Sequence, residues 1–137
     1  MKDNTLEQLK QQILSVEQML HLNELGIDIS NGSVFWVRFR AYNWFLSLHT
    51  DESTRTVPAF TLQQVIELLP KEINPCGRPY SLFIDYQEMR IAYGFVDREG
   101  MCWLEPAFSL EYQSLLNAAY EMLCWCIKEG YIKTTKQ

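Results

Sequence analysis

The clearest hydrophobic pattern in the chain lies between residues 57 and 70. Thr61 stands where a helix N-cap is expected, with Gln64 placed to complete a capping box. Pro70 disfavours a helical conformation at the residue before it. Apolar residues recur between them at the spacing of one helical face: Leu62, Val65, Ile66 and Leu69. The pattern predicts a short helix with one buried face.

A second amphipathic segment opens the chain. Its apolar residues alternate in steps of three and four: Leu6, Leu9, Ile13, Val16 and Leu20. Asn4 or Thr5 can cap a helix there, and Gly26 supplies a left-handed stop. Ser15 and Gln18 form a second capping-box pair. Two alternatives therefore stand: one long helix, or a break at Ser15 that leaves residues 1–15 as a helical extension.

Alternation with a period of two then predicts a β-hairpin. Its strands run from Phe35 to Phe39 and from Trp44 to Leu48. We expect Phe39 to share a face with Leu46, which requires a connection of even length. The other face then carries aromatic, basic and polar side chains: Trp36, Arg38, Arg40, Phe45, Ser47 and His49.

Three further strands are predicted between residues 80 and 104. A turn at Gln87–Glu88 places Asp85 opposite Arg90, a favourable cross-strand pair. A second turn at residues 97–100 leads into a strand from Met101 to Leu104. In this register Trp103 lies near Gly94, where its ring can cover the missing side chain.

The final helix is predicted from about Ser109 to Glu129, with Gly130 at its end. Two adjacent apolar stripes run along it, one from Tyr112 to Cys126 and one from Leu115 to Trp125. A face this wide must be buried against more than one element, or partly against a partner chain. Together these elements predict one α+β domain over residues 1–137. It has about five antiparallel strands, in a hairpin and a three-stranded meander, packed with three helices.

Composition narrows the class of protein. The chain has 137 residues, 47% of them hydrophobic and 21% charged, as in a globular domain. Its net charge of −5 does not favour binding to nucleic-acid phosphates. No apolar run approaches the ~20 residues that cross a membrane, and the N-terminus lacks the apolar centre of a signal peptide. We therefore expect a cytoplasmic protein without membrane contact.

The candidate binding residues are Trp36, Arg38, Arg40, Phe45 and His49. Aromatic rings interleaved with guanidinium groups stack bases in single-strand binders, and Trp and Arg also dominate protein-binding hot spots. The alternative, which the acidic chain favours, is an ordinary sheet surface partly covered by the first helix.

Other chemistry is weakly indicated. Glu17, His21 and Glu24 share a helical face, but a solvated face is the better interpretation. Cys124 lies near the polar edge of the last helix without an obvious base, and we treat it as inert. The four cysteines lack zinc-site spacing, so we expect reduced thiols. No catalytic motif is recognised, and we expect no metal, cofactor or catalytic residue.

Several blocks together resemble a known family: Gln18–Leu20 to Leu25–Ile27, Val57–Leu62 to Leu69–Pro70, Tyr80–Leu82, Ala119–Trp125 and Glu129–Ile132. The family consists of small uncharacterised proteins encoded in prophages and other mobile elements of gut Bacteroidales. The resemblance spans most of residues 18–132. It implies a phage-associated accessory protein in a bacterial cytoplasm and carries no catalytic residues.

The leading hypothesis is a non-enzymatic protein that binds a protein partner or associates with itself. One alternative is a small-molecule-binding protein or small enzyme with a pocket near His49. Another is a nucleic-acid contact through Trp36, Arg38 and Arg40.

Overall fold

The computed structural model describes residues 12–38, 43–48, 55–108 and 114–134, and for residues 105–108 the backbone alone. The elements follow the order α1 (Val16–Glu24), β1 (Val34–Arg38), β2 (Phe45–Ser47), β3 (Arg55–Ala59), α2 (Leu62–Leu68), β4 (Glu72–Ile73), β5 (Tyr80–Asp85), β6 (Arg90–Asp97), β7 (Gly100–Phe108) and α3 (Leu115–Lys128). The strands form two antiparallel sheets, ordered β2-β1-β3 and β4-β5-β6-β7. The predicted class, a single α+β domain, is confirmed, with seven described strands rather than about five.

Two compact units make up the chain. The first comprises Met1–Gln64 with Thr134–Gln137, and the second comprises Val65–Lys133. The first unit contains α1 and the three-stranded sheet. The second contains the four-stranded sheet and α3. The boundaries 1–137 for a single domain stay a prediction.

In the first unit, α1 begins at Ser15. The Ser15 hydroxyl accepts a hydrogen bond from the Gln18 N–H at 3.1 Å, and the Gln18 side chain accepts one from the Ser15 N–H at 2.9 Å. Ile13 forms an antiparallel bridge with Thr61 instead of continuing the helix. The capping box predicted at Ser15 is therefore confirmed, and residues 12–15 are not helical. Residues 1–11 lie outside the described part of the chain.

The end of α1 follows the predicted glycine stop. Gly26 has a φ of 99°, which glycine adopts without a steric cost. The Ile27 N–H donates to the Leu22 carbonyl at 3.0 Å, and the Gly26 N–H donates to the Asn23 carbonyl at 3.1 Å. These two bonds are the Schellman motif, and they satisfy carbonyls that the helix end would otherwise leave open.

The strand β3 was not predicted from the sequence. Its five residues pair with β1, from Val34 opposite Ala59 to Arg38 opposite Arg55. Pro58 has no N–H to donate, but β3 lies at the edge of its sheet, where proline is tolerated. The pairing with β1 therefore stabilises β3, although its residues have only a weak local preference for a strand.

The pairing of β1 with β2 overturns the predicted hairpin register. Phe35 lies opposite Ser47, and Val37 lies opposite Phe45. Since directly opposite residues share a face, β2 is inverted relative to the prediction by a one-residue slip. Both faces of this sheet carry large apolar or aromatic side chains, so the pattern offered no polar face to select the register.

The helix α2 has the predicted capping box. The Gln64 side chain accepts from the Thr61 N–H at 3.0 Å, and the Thr61 hydroxyl accepts from the Gln64 N–H at 3.3 Å. The amide nitrogen of Gln64 also donates to the Asn31 carbonyl at 2.9 Å. The helix ends at Leu68, two residues before Pro70.

In the second unit, the meander has the predicted register. Asp85 lies opposite Arg90, Gly94 opposite Trp103, and Asp97 opposite Gly100. The strands are joined by short turns, which leave little freedom for slippage. Two features were missed: the short strand β4, and the extension of β7 past Leu104 through a register shift opposite residues 91–93.

The helix α3 packs against β6 and β7. Ser114 is its N-cap, accepting from the Asn117 N–H at 3.0 Å. The described helix therefore begins at Leu115 rather than at Ser109, and residues 109–113 lie outside the described part. The described residues of its predicted apolar stripes are buried, except for Trp125, which is half-buried. Cys124 is buried as well.

Candidate functional site

The four-stranded sheet presents two different faces. One carries Tyr93, whose hydroxyl lies 3.7 Å from the Cys126 sulfur of α3, so α3 covers that face. Residues directly opposite in neighbouring strands share a face. The strand pairings therefore assign the following residues to the other side, which we name the outer face: Ser81, Phe83, Asp85, Arg90, Ala92, Gly94, Val96, Met101 and Trp103.

An aromatic cluster lies at the centre of the outer face. The rings of Phe83 and Trp103 meet edge to face, with centroids 5.5 Å apart and an interplanar angle of 82°. The guanidinium of Arg90 lies 4.9 Å from the centroid of the Trp103 indole, within the range of a cation–π contact. The ring of Trp103, on β7, is thus held by one neighbour on β5 and one on β6.

Gly94 explains why the indole can lie so close to the sheet. A Cβ at Gly94 would lie 2.8 Å from Trp103 Cε3 and 2.8 Å from the Cys102 carbonyl oxygen. The absence of a side chain therefore leaves the space that the indole fills, as the sequence predicts. This arrangement fixes the Trp103 ring against the sheet.

The outer face exposes four large apolar side chains. Val96 is 68% exposed, while Phe83, Met101 and Trp103 are each exposed by more than a third. Val96 and Met101 lie directly opposite each other on β6 and β7. Because the four residues share one face of adjacent strands, they form a contiguous apolar patch, a feature typical of interaction sites.

The charges on the outer face balance. Asp85 Oδ2 and Arg90 Nη2 are 3.7 Å apart, and both side chains are partly exposed. A partly exposed pair of this kind adds little to stability. The patch therefore offers apolar contact beside one acid and one base, and it lacks the excess of basic side chains that a phosphate backbone attracts.

The sequence-predicted binding residues are not brought together in the described part of the first hairpin. Trp36 shares its face with Leu46, while Phe45 lies on the opposite face beside Val37. This corrects the expected grouping of Trp36 and Arg38 with Phe45. Arg40 and His49 lie outside the described residues.

Trp36 also has a structural role. Its indole N–H donates to the Leu14 carbonyl at 2.8 Å, and the side chain is half-buried. The indole thereby ties the segment before α1 to the sheet.

Phe45 is exposed, as expected. Arg55 lies opposite Arg38 on β3, and its guanidinium is 5.7 Å from the Trp44 ring centroid.

A thiol–carboxylate pair lies at the β6–β7 turn. The Cys102 sulfur donates to Asp97 Oδ2 at 3.3 Å, and this bond, followed by burial, raises the pKa of the Cys102 thiol. The pKa of Asp97 is lowered, first by the Glu99 N–H and then by Cys102. Since the thiolate is the nucleophilic form, this environment does not activate Cys102 as a nucleophile.

The thiols of α3 are equally unsuited to nucleophilic chemistry. Burial raises the pKa of Cys124, and it raises the pKa of Cys126 to about 11. The Tyr93 hydroxyl accepts from Cys126 and donates to the Pro70 carbonyl at 2.7 Å. These groups form a buried hydrogen-bond chain that joins α3, β6 and the segment after α2.

Three residues of α1 are candidate metal ligands by sequence. Glu17 and Glu24 lie exposed on this helix with His21 half-buried between them. Within residues 12–38, 43–48, 55–108 and 114–134, the structure contains no group of three or more His, Cys, Asp or Glu residues arranged to hold a metal ion.

Comparisons with known proteins supply no relative. No family model matches the chain, and searches of curated proteins and of solved structures find no significant match. Among the described residues, no helix is both long enough and apolar enough to span a membrane. The inference about function consequently depends on the outer face itself.

The outer-face patch was missed at the level of sequence, although its signal was present. Phe83, Val96, Met101 and Trp103 alternate along their strands with a second set of apolar residues, which includes Leu82, Tyr93 and Phe95. Large apolar residues on both faces of an antiparallel sheet, where one face is usually polar, would have indicated that one of the two faces is a candidate site, but not which one α3 leaves exposed.

Proposed function

We propose that the protein is a non-enzymatic binding module that engages a protein partner through the outer face. The observation that carries this proposal is the contiguous exposure of Phe83, Val96, Met101 and Trp103 on one face of the four-stranded sheet. A monomeric protein seldom leaves such side chains together in water unless they contact another molecule.

The composition of the patch supports a protein partner. Aromatic residues, methionine and arginine are enriched in the centres of protein interfaces, and tryptophan and arginine are frequent hot spots. Trp103 is already fixed between Phe83 and Arg90. Binding would therefore cost little additional side-chain ordering at the residue with the largest contact area.

Other ligand classes have weaker support. The outer face pairs one acid with one base, and the whole chain has a net charge of −5, so a nucleic-acid backbone would gain little from it. The raised pKa of the Cys102 and Cys124 thiols provides no activated nucleophile at those positions. The alternatives at Arg40 and His49 concern residues outside the described part.

We place this binding module in a phage or mobile-element context. The support is the resemblance of the blocks around Leu20, Phe60 and Trp125 to prophage-encoded proteins. A cytoplasmic accessory role accords with that resemblance and with the composition of the chain.

Site-specific photocrosslinking tests the proposal. A photoreactive phenylalanine analogue replaces Val96, the most exposed apolar residue of the patch, in cells that naturally make the protein. The matched control carries the analogue at Lys71, which is exposed and not part of the outer face. We expect a discrete protein adduct at position 96 that is absent at position 71.

A second substitution ties the adduct to the outer face. Trp103→Leu removes the indole while leaving an apolar side chain, and we expect it to reduce the yield of the adduct at least fivefold. Adducts of equal yield at positions 96 and 71, or an adduct that Trp103→Leu leaves unchanged, would contradict the proposal.

A further inference from the structure

The open edge of β7 differs from the other described sheet edges. The two sheets end in β2, β3, β4 and β7. β2 has three residues and β4 has two, while β3 contains Pro58, which cannot donate a backbone hydrogen bond. Short strands and proline are two ways in which proteins protect a sheet edge against pairing with another chain.

β7 lacks this protection over its first five residues. The strand has nine residues, and Gly100–Leu104 contains neither proline nor a charged side chain; Glu105 and Pro106 follow. In an antiparallel edge strand, alternate residues direct their N–H and carbonyl groups away from the sheet. The structure describes a strand partner for β7 on the β6 side alone.

We propose that the partner of this protein is a second copy of the same chain, paired antiparallel along β7. Full overlap of the two Gly100–Leu104 segments places the two-fold axis at Cys102. Met101 then lies opposite Trp103 of the partner subunit, and Trp103 lies opposite the partner's Met101. The contact is isologous, so one patch serves both copies and the assembly closes as a dimer.

The side chains of this segment complement their own copy. Met101 is 37% exposed and Trp103 is 38% exposed, and both belong to the outer face at the edge of the sheet. A methionine sulfur against an aromatic ring is a favourable contact. The pairing brings Met101 and Trp103 of both copies into contact, while Phe83 and Val96, on β5 and β6, stay on the outer face of the dimer.

Within the overlap, electrostatics do not oppose contact between the copies. Each chain carries a net charge of −5, so two copies repel each other at long range. The Gly100–Leu104 segment contains no charged residue, and its pairing therefore brings no like charges directly opposite each other within the overlap. The inference rests on the proposed function, because it assigns the partner of the same outer-face residues.

The mass of the full-length chain in solution, measured by size-exclusion chromatography with light scattering, tests this pairing. We expect a species of twice the 16.1 kDa chain mass at micromolar concentration. Met101→Lys places a charge at the edge and is expected to weaken dimerisation at least tenfold. Met89→Lys is the matched control, because Met89 is also an exposed methionine, at 38%, and it lies between β5 and β6, outside the outer face.

Retention of the dimer in Met89→Lys, with its loss in Met101→Lys, supports pairing along β7. Loss of the dimer in both variants, or in neither, overturns the edge pairing. A monomeric wild-type chain that still forms the position-96 adduct with another protein overturns the second copy as partner while leaving the proposed function in place. A monomer without any adduct overturns both.

Two further measurements guard against misfolding of the variants and test the register. Amide exchange along β7 in the unmodified chain is expected to slow as protein concentration rises, and equal exchange at all concentrations contradicts the pairing.

In a Cys76→Ser background, a short bismaleimide is expected to link Cys102 to Cys102 of the partner subunit. A dimer whose crosslinks never include Cys102 overturns full overlap.

Discussion

Gly94→Ala probes the contact that holds the outer face together. The added methyl carbon would lie 2.8 Å from Trp103 Cε3, 2.8 Å from the Cys102 carbonyl oxygen and 3.2 Å from Met101 Cε. Carbon atoms pack favourably at about 3.5–4.0 Å, so the indole must move by roughly 1 Å or the strands must separate. The backbone oxygen cannot move without disturbing the pairing of β6 with β7.

The expected cost follows from two opposing terms. Overpacking of this kind destabilises by about 1–3 kcal/mol. Replacing glycine with alanine restricts the unfolded chain and returns about 0.4–1 kcal/mol. The net loss in the free energy of unfolding is therefore about 1–2 kcal/mol. With a urea slope of ~2 kcal/mol/M, the unfolding midpoint falls by about 0.5–1 M.

Urea unfolding followed by far-UV circular dichroism measures this loss, and a double-mutant cycle separates its parts. In a Trp103→Leu background the clash with the indole is gone and the clash with the Cys102 carbonyl persists. We expect the cost of Gly94→Ala to fall by about 1 kcal/mol there. An unchanged or raised midpoint for Gly94→Ala alone would refute the close contact, and an equal cost in both backgrounds would refute the part assigned to the indole.

Three other predictions concern the structural hydrogen bonds and the buried thiol. Ser15→Ala removes the N-cap of α1 and should cost about 1 kcal/mol in urea unfolding, whereas Ser15→Thr should restore most of the loss; equal stability of all three proteins would contradict the capping role. Tyr93→Phe deprives the Pro70 carbonyl of its 2.7 Å donor and should cost about 1–2 kcal/mol by the same assay, a result that unchanged stability would exclude. Because the pKa of Cys126 is raised to about 11, the folded chain holds its proton where the unfolded thiol has lost it, so stability present below about pH 8.5 should be lost as pH rises toward 11. Urea midpoints measured across this range should fall less steeply in Cys126→Ala, and parallel slopes would refute the assignment.

Local signals correctly predicted the starts of α1 and α2, the glycine stops after α1 and α3, and the register of the meander. The capping boxes at Ser15 and Thr61 and the glycine stops after α1 and α3 depend on residues within five positions of one another. The meander was predictable because its connections are short, and the pairing of Asp85 with Arg90 follows once the turn between them is placed.

The predicted register of the first hairpin was wrong because no local signal selects it. Its connection spans residues 39–44, and nothing in that stretch distinguishes an even from an odd length. Aromatic residues occur at both parities of each strand, so either register buries large side chains. The half-buried Trp36, which donates to the Leu14 carbonyl, belongs to contacts with a distant segment that no local pattern contains.

The candidate site was only partly accessible to sequence reasoning. Alternation along β5, β6 and β7 places Phe83, Val96 and Trp103 on one side of the meander. It does not tell which side α3 covers, because both sides are apolar enough to be buried. The exposed patch therefore followed from the packing of α3 and not from the strands themselves.

The sequence by itself determined the caps, the stops and the register of the meander, because each depends on interactions between residues close together in the chain. Tertiary structure decided the strand β3, the register of the first hairpin and the face of the larger sheet left exposed. In these cases the local preferences are weak or balanced, so pairing and packing between distant segments select the outcome. The apolar outer face, on which the proposed function depends, belongs to this second group.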